Sequence, residues 1–469
     1  MKARPDIRLV DVTAPAPADA VEVQATTVAD RLSELGAAER FASLHADDTR
    51  FDHRRGRWLM WHGHRWMPDP DGEITRLLLK FTRDWQSEAL AIEDVGLRKR
   101  TLDAAMRVER RQGLNAVREL AAAMKPLADA GSGWDADPWL LGVPNGVVDL
   151  RTGELRVGRR TDGITMNTGA AYDAAATCPR WERFVREVVG DDDLAAFVQR
   201  ALGYSLTGDT SEQCLFLAYG KGANGKGTFT QTLSRVLGDY AYAMPFSTIE
   251  LHQRSAIPND LAALLNRRFV SASETNDGTR LNESRVKALT GCDPITARFL
   301  HAEFFTFVPV GKYWLSVNHK PIVRDDSHGF WRRMRLIPFT RTFGIDKALG
   351  AQLLAEAPGI LAWCVRGALD WQRHGLQPPA IVTEATAAYE ADSDVLRGFI
   401  DEAIEHEPES EIQASDLFDT YCRWARQQGM SDRERLSQTM FGRKFGDRFQ
   451  SRRINGRRVY LDIARRHPW

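Results

Sequence analysis

One apolar run ending in a glycine-rich turn constrains this chain more than any other stretch. Residues 215–232 read LFLAYGKGANGKGTFTQT. Leu215–Tyr219 suits a buried strand, Gly220-Lys221-Gly222-Ala223-Asn224-Gly225-Lys226 forms the turn, and a helix-compatible segment follows. Strand, glycine-rich turn and helix in that order make a phosphate-binding layout. Glycines let backbone N–H groups curl around an anion with no Cβ in the way. The helix start adds free N–H groups and a positive dipole end. Lys226 supplies a compact charge for the β- and γ-phosphates of a nucleoside triphosphate. Gly220, Gly222, Ala223, Asn224, Gly225, Lys226, Gly227 and Thr228 are therefore the expected nucleotide contacts.

One position departs from this layout. The lysine is ordinarily followed by Ser or Thr, whose hydroxyl ligates Mg²⁺. Gly227 stands there, and Thr228 comes one residue later. Either Thr228 takes the role through a small shift of the helix start, or water fills the place.

Lys+Arg and Asp+Glu are equal at 63 each, so no global field draws nucleic acid and any such affinity must be local. The five cysteines are scattered without C-x-x-C spacing, which argues against a disulfide framework or zinc ribbon and fits a reducing cytoplasm. The first twenty residues lack the apolar core of a signal peptide, and no window is apolar enough to span a bilayer. His53, His62 and His64 lie close in sequence, but no cysteine or carboxylate cluster completes a metal site around them.

Five regions are expected. Residues 1–27 form a proline-rich tail. Residues 28–199 form an α-rich N-terminal domain. It holds a helix over Ala29–Ala46, short strands over Phe51–Met67 and an amphipathic run through Leu97, Leu102, Met106, Val108, Leu114 and Leu120. It closes with a hairpin around Arg151-Thr152-Gly153 and helices at Trp181–Val189 and Leu194–Leu202. Residues 200–345 form the nucleotide-binding core, 346–384 a helical connector and linker, and 385–469 a small C-terminal domain.

Between 266 and 341 several features refine the core. Arg268–Glu274 reads as an apolar-leaning strand ending in a carboxylate, as a Walker B strand does; Glu274 suits water activation or Mg²⁺ binding, although Ser273 stands where a second acid is usual. Ile295–Val308 reads as strands bent around Leu300–Glu303, with Arg298 and His301 near the tip. Lys312–Asn318 reads as an apolar strand ending in Asn318, a polar group suited to sensing the γ-phosphate or orienting water. In Phe330–Phe339 an arginine cluster holding Arg332 and Arg333 stands just before an apolar strand and suits an arginine finger offered to a neighbouring subunit.

The words GKGANGKGT, SETND, KALTGCDPITAR, VNHKP and FWRRMRLIPF, in that order, resemble the superfamily 3 helicases. The similarity is to the branch holding the C-terminal parts of phage and plasmid primase-helicases and their poxvirus relative. The resemblance extends upstream through LGYSLTG and NGVVDLRTGEL to AERF. It implies an α/β chain with a P-loop, AAA+-like ATPase core, working as a homohexameric ring on single-stranded DNA with ATP and Mg²⁺. Carried onto this sequence, Lys226 is the phosphate-loop lysine, Glu274 the Walker B acid, Asn318 the sensor, and Arg333 the finger with Arg332 its alternative. Thr228 and Glu274 are the metal-side groups. Arg298 and His301 fall where the family's central hairpin touches DNA. The resemblance implies replication of a phage, plasmid or mobile element in a bacterial host's cytoplasm, with a separate primase or other replication proteins as partners. No carboxylate-and-histidine constellation for primer synthesis precedes the core.

The C-terminal region has its own signal. Helices at Asp416–Gln428 and Leu436–Phe449 precede two strand-like runs around Asn455-Gly456, a strong hairpin turn. Helices followed by a basic hairpin fit a winged helix. From Arg443 to Arg466 nine residues are basic against two acids, and Arg452, Arg453, Arg457 and Arg458 flank the turn. That is a footprint for duplex DNA phosphates. The function expected is an ATP-dependent DNA helicase. The alternatives are a DNA-translocating ATPase without strand separation, and a DNA-binding replication initiator in which ATP controls assembly.

Overall fold

The computed structural model describes residues 32–251, 259–274, 278–299, 303–430 and 435–467. The tail expected over 1–27 lies outside them. The described residues fall into two compact units, the first made of 32–61 with 67–132, the second of 62–66 with the described residues from 133 onward. The boundary near 132 falls inside the stretch read from sequence as one N-terminal domain.

The first unit opens with α1 (Glu34–Leu44), capped by Ser33, whose hydroxyl accepts from the Gly36 N–H at 3.1 Å. β1 (Thr49–Asp52) and β2 (Arg57–Trp61) pair antiparallel, with Phe51 opposite Trp58. β3 (Trp66–Pro68) follows, then α2 (Glu73–Leu90), α3 (Val95–Val108), α4 (Arg111–Ala122) and the short β4 (Ala128–Asp129). The strands are ordered β3-β2-β1-β4. The sequence suggests one leucine-rich stripe over 97–120, and the structure differs. α3 and α4 are separate helices that bury Thr101, Ala104, Ala105 and Val108, and Gly113, Val117 and Ala121. Small residues let the helices approach closely: a Cβ on Gly113 would lie 2.6 Å from the Arg107 carbonyl oxygen. The long side chains are pushed to the margins, so Met106 is 53% exposed.

In the second unit β5 (Leu140–Val143), β6 (Gly146–Asp149) and β7 (Glu154–Arg156) form an antiparallel sheet; β6 and β7 are the hairpin expected around Arg151–Gly153. α5 (Pro179–Val189) and α6 (Asp192–Leu206) lead into β8 (Leu215–Tyr219) and α7 (Lys226–Leu237). There follow β9 (Ala241–Ala243), α8 (Asn259–Ala262), β10 (Phe269–Ser273), α9 (Glu283–Thr290), β11 (Ile295–Ala297) and β12 (Phe305–Phe307). Next come β13 (Lys312–Val317), α10 (His328–Trp331) and β14 (Met334–Pro338). The central sheet has the order β14-β8-β13-β10-β9, with every pairing parallel. β13 follows β10 in sequence yet lies between β10 and β8. This brings the C-terminal ends of three strands side by side, where parallel sheets bind ligands.

The sheet is covered on both faces, which explains its near-continuous apolar strands. Phe216, Ala218, Trp314 and Ile337 point to one core together with Trp181 and Phe229. Leu215, Leu217, Leu315 and Leu336 point to the other together with Val286 and Leu289. Phe216 stacks on Trp314 with ring centres 4.4 Å apart. α11 (Leu349–Ala355) and α12 (Ala357–His374) supply Leu353, Ile360 and Val365 to the first core.

α13 (Ala380–Ser393) packs on the second core: Thr386 Oγ1 accepts from the Leu336 N–H at 3.0 Å, and Tyr389 meets Trp331 edge-on at 5.1 Å. The C-terminal body therefore begins near 395, after the boundary drawn at 385, because Tyr389 is buried against the sheet rather than in the next core. That body comprises α14 (Val395–Ala403), β15 (Ile404–Gln413), α15 (Ala414–Gln427), α16 (Gln438–Gly446), β16 (Ser451–Ile454) and β17 (Arg457–Arg465). Its antiparallel sheet has the order β15-β17-β16. Phe399, Tyr421, Trp424, Phe441, Phe445 and Tyr460 fill its core. Asn455 and Gly456 take φ of 50° and 80°, the left-handed pair that a tight hairpin turn needs.

Candidate functional site

β8 delivers the chain to the C-terminal edge of the sheet, where it turns through left-handed conformations at Gly222, Ala223 and Gly225, with φ of 97°, 47° and 86°. Glycine tolerates this backbone at two of the three places. The loop is pinned from outside. The Phe343 N–H donates to the Ala223 carbonyl at 2.8 Å, and Asn224 Nδ2 donates to the Phe339 carbonyl at 3.2 Å. α7 starts at Lys226 with no side-chain cap, so its first N–H groups remain available to a ligand.

Lys226 is buried, and its Nζ donates to the Gly220 carbonyl at 2.6 Å, Asn224 Oδ1 at 3.0 Å and Asn318 Oδ1 at 3.2 Å. All three acceptors are uncharged. Burial pushes the ammonium down to about 8. A cation held among neutral oxygens at a helix start is set to gain from an incoming anion.

Asn318 follows β13, and Glu274 follows β10. The Glu274 N–H donates to the Ser316 carbonyl at 3.0 Å, and its Oε2 accepts from the His319 N–H at 3.4 Å. Lys226, Asn318 and Glu274 thus come together from three adjacent strand ends. Gly227 is exposed, with open space where a Cβ would project, and Thr228 is half-buried beside it. Among the described residues no group of three or more His, Cys, Asp or Glu is arranged to hold a metal ion.

The structure does not bring Arg332 and Arg333 to this place. The Leu215 N–H donates to the Arg333 carbonyl at 2.9 Å, so both arginines stand at the opposite end of β8. Four residue steps of strand separate that end from Tyr219, about 13 Å. Arg333 Nε donates to Thr290 Oγ1 at 3.1 Å, and its guanidinium also reaches the Gly329 carbonyl and Gln213 Oε1. Burial and the neighbouring Arg332 charge lower its pKa. Arg332 is exposed and donates to Gln213 Oε1 at 2.5 Å.

Arg298 follows β11, with its guanidinium 5.0 Å over the Phe304 ring, which is 58% exposed. His301 lies outside the described residues. In the C-terminal hairpin Arg452, Arg453, Arg457 and Arg458 are all exposed. Arg452 pairs with Glu411, and Arg458 donates to the Gly442 carbonyl at 3.1 Å. Arg453 and Arg457 have no side-chain partner among the described residues.

Three anchors of the site escaped sequence reasoning: the Phe339 carbonyl, the Phe343 N–H and the His319 N–H. All are backbone groups, and a side-chain pattern carries no signal for them. Only the adjacency of His319 to Asn318 could have drawn attention to it.

A family model described as D5 N terminal like matches residues 38–190, and a family of unknown function, DUF5906, matches residues 218–333. A protein named "putative helicase" from Acanthamoeba polyphaga mimivirus is 27% identical over 319 residues, covering 62% of this chain and 33% of that protein. A "putative helicase" of Frog virus 3 is 28% identical over 269 residues, covering 51% and 27%. A "putative primase" of African swine fever virus is 27% identical over 210 residues, covering 43% and 22%. The chain thus spans a third or less of the length of these relatives. The apo C-terminal region of NrS-1 aligns with a TM-score of 0.46 at 9% identity, over 92% of this chain and 99% of that one.

The chain is a mixed α/β protein related in sequence to viral proteins named putative helicase and putative primase. More narrowly, the motif words' resemblance to primase-helicases of superfamily 3 type is supported by the D5 N terminal like match and by these viral relatives.

Proposed function

We propose that this chain is an ATP-dependent DNA helicase, a homohexameric ring that moves on single-stranded DNA during replication of a phage, plasmid or mobile element in its bacterial host's cytoplasm. The observation that carries this reading is Lys226, buried at the start of α7 among three neutral oxygens, with Asn318 and Glu274 at the adjacent strand ends. On this reading residues 200–345 are a P-loop, AAA+-like ATPase core and the C-terminal body is a winged helix. The stretch 28–199 is a helicase-associated region, and 346–384 the connector.

In the proposed cycle the loop N–H groups and Lys226 bind the β- and γ-phosphates. Glu274 accepts a proton from the attacking water, and Asn318 fixes that water's position against the γ-phosphate. The donor set fits a Mg²⁺ carried in by the nucleotide rather than caged by protein, with the Thr228 hydroxyl and the Glu274 carboxylate as its protein-side oxygens. Bound Mg²⁺ would neutralise charge developing on the phosphates. Arg333, with Arg332 as alternative, lies too far along β8 to serve its own loop, which supports a role toward a neighbour's nucleotide. Arg298 and His301 are assigned to single-stranded DNA, the four hairpin arginines to duplex DNA, and a separate primase to the list of partners.

The test is strand displacement on a forked duplex with ATP and Mg²⁺. Displacement by the native protein and none by Lys226→Ala is expected. Brisk DNA-stimulated ATP turnover without displacement would instead establish translocation alone. Tight DNA binding with negligible turnover would establish an initiator whose assembly ATP controls.

A further inference from the structure

The first unit carries a charge asymmetry that the ATP site and the C-terminal hairpin leave unexplained. Residues 95–118 hold seven lysines and arginines against two acids, Asp103 and Glu109, whereas 32–61 with 67–94 hold eight against twelve. The buried side of α3 is Thr101, Ala104, Ala105 and Val108. At 100° per residue Lys99, Arg100, Asp103, Met106 and Arg107 fall on the opposite side. Lys99, Arg100 and Arg107 are exposed, as are Arg110 and Arg111 just beyond the helix. None of these five has an ion pair or side-chain hydrogen bond among the described residues. The other cation of the turn, Arg98, is occupied with the Ile92 and Glu93 carbonyls. Glu109 is engaged by Gln86 at 2.8 Å.

The start of α4 sharpens the asymmetry. Arg110 is its N-cap residue and Arg111 its first, no side chain caps the end, and its first turn holds no acid. The helix dipole already places positive charge there, so two arginines at that end repel it. A bound anion turns this repulsion into attraction, because the free N–H groups and both guanidinium groups then share one partner. The close approach of the helices at Gly113 keeps the end of α3 and the start of α4 together.

We propose that Lys99, Arg100, Arg107, Arg110 and Arg111 form a binding face for single-stranded DNA. Lys99 to Arg107 spans eight residues, about 12 Å of helix, enough to meet successive phosphates of one strand. Met106 lies among the cations and is 53% exposed. Its thioether gains contact from an unstacked base, which a single strand offers and a duplex does not. This rests on the reading that the chain works on DNA, and it adds a contact region apart from the residues assigned to DNA above.

The test uses the full chain and a labelled oligothymidylate, with binding followed by anisotropy across a salt series. Lys99→Ala/Arg100→Ala/Arg107→Ala should weaken binding at least tenfold at low salt and lower the log–log salt slope by about two, at roughly 0.7 per lost single-strand contact. ATP turnover without DNA should be unchanged, which also reports that the variant is folded. Arg100→Lys/Arg107→Lys should retain most binding, since charge is what the face supplies. Native protein that binds the oligonucleotide while the triple variant binds with the same slope would overturn the face and leave the helicase reading standing. Native protein that binds no single strand would overturn both. An equal loss on a blunt duplex would overturn the assignment to single strands.

Discussion

Lys226 and Arg457 are both read here as cations for phosphate, and their surroundings are opposite. Lys226 is buried, has three fixed oxygen partners and begins a helix. Arg457 is exposed on a hairpin and has no side-chain partner among the described residues. A charge fixed at low dielectric acts strongly and in one geometry, while an exposed one acts weakly, is screened by salt and adapts. On the proposed reading the loop therefore suits one phosphate chain in one pose, and the hairpin any backbone that passes. Variants of the first should change chemistry; variants of the second should change only affinity and its salt dependence.

The largest effect is expected at Lys226. Lys226→Ala should leave no measurable ATP turnover in a folded protein, as checked by phosphate release beside circular dichroism. The pH dependence has a definite sign. The folded pKa, about 8, lies below the ordinary lysine value of 10.5, so holding the charged form costs stability below pH 8. That cost fades as pH rises from 8 toward 10.5. Relative to Lys226→Met, the nucleotide-free native protein should gain stability across that window, while its ATP affinity falls. A flat difference between the two melting curves would mean that Lys226 is not held among neutral oxygens.

Arg333→Ala should lose roughly 10³–10⁵ in turnover and keep ATP binding, since a finger stabilises transition-state charge on a neighbour's nucleotide. Mixing it with Lys226→Ala creates junctions with one intact lysine and one intact arginine, so partial turnover should return. Mixed hexamers, confirmed by native mass measurement, that stay inactive would remove Arg333 from the interface. The same mixture made with Arg332→Ala decides between the two residues. Arg332 is exposed and Arg333 is tied to three groups of its own chain, so the pair is well posed for that contest.

Glu274→Gln comes next. It should retain ATP and slow hydrolysis by about 10²–10⁴, the usual worth of a positioned base. Turnover close to native would transfer the role to another acid.

The sequence carried the loop, the strand ends and the Asn-Gly hairpin because each depends on side-chain type at fixed spacing. Gly222 and Gly225 allow the turn, β-strand periodicity sets Phe216 and Leu217 on opposite cores, and Asn455-Gly456 takes the two positive φ values. Less could be read where the decisive groups are backbone, as at Phe339 and Phe343, or where burial rests on small residues. The stripe through Leu97, Met106 and Leu120 illustrates the second case. Hydrophobic side chains suggested one face, but close helix contact selects Ala104, Ala105 and Gly113 and leaves Met106 outside. Strand order was also hidden, since nothing local says that β13 inserts between β8 and β10.

The smallest effects are expected at the hairpin, and there the structure divides residues that look equivalent in sequence. Arg452 already pairs with Glu411, and Arg458 donates to the Gly442 carbonyl, so each must give up a partner to meet DNA. Arg453 and Arg457 have no such partner to give up among the described residues. An exposed pair is worth about 0–1 kcal/mol, so the engaged arginines are weakened as DNA contacts rather than removed. Arg453→Ala/Arg457→Ala should therefore lower the salt slope of duplex binding by close to two, at roughly 0.9 per contact. Arg452→Ala/Arg458→Ala should lower it by less, and Glu411→Gln should raise duplex affinity by freeing Arg452. ATP turnover without DNA should be the same in all three proteins. If the two double variants shift the slope equally, the intramolecular partners exchange for phosphate at no cost and the hairpin acts as a uniform patch of charge. If neither shifts it, duplex DNA is bound elsewhere, and the contrast with Lys226 is one between a phosphate site and an ordinary solvated surface.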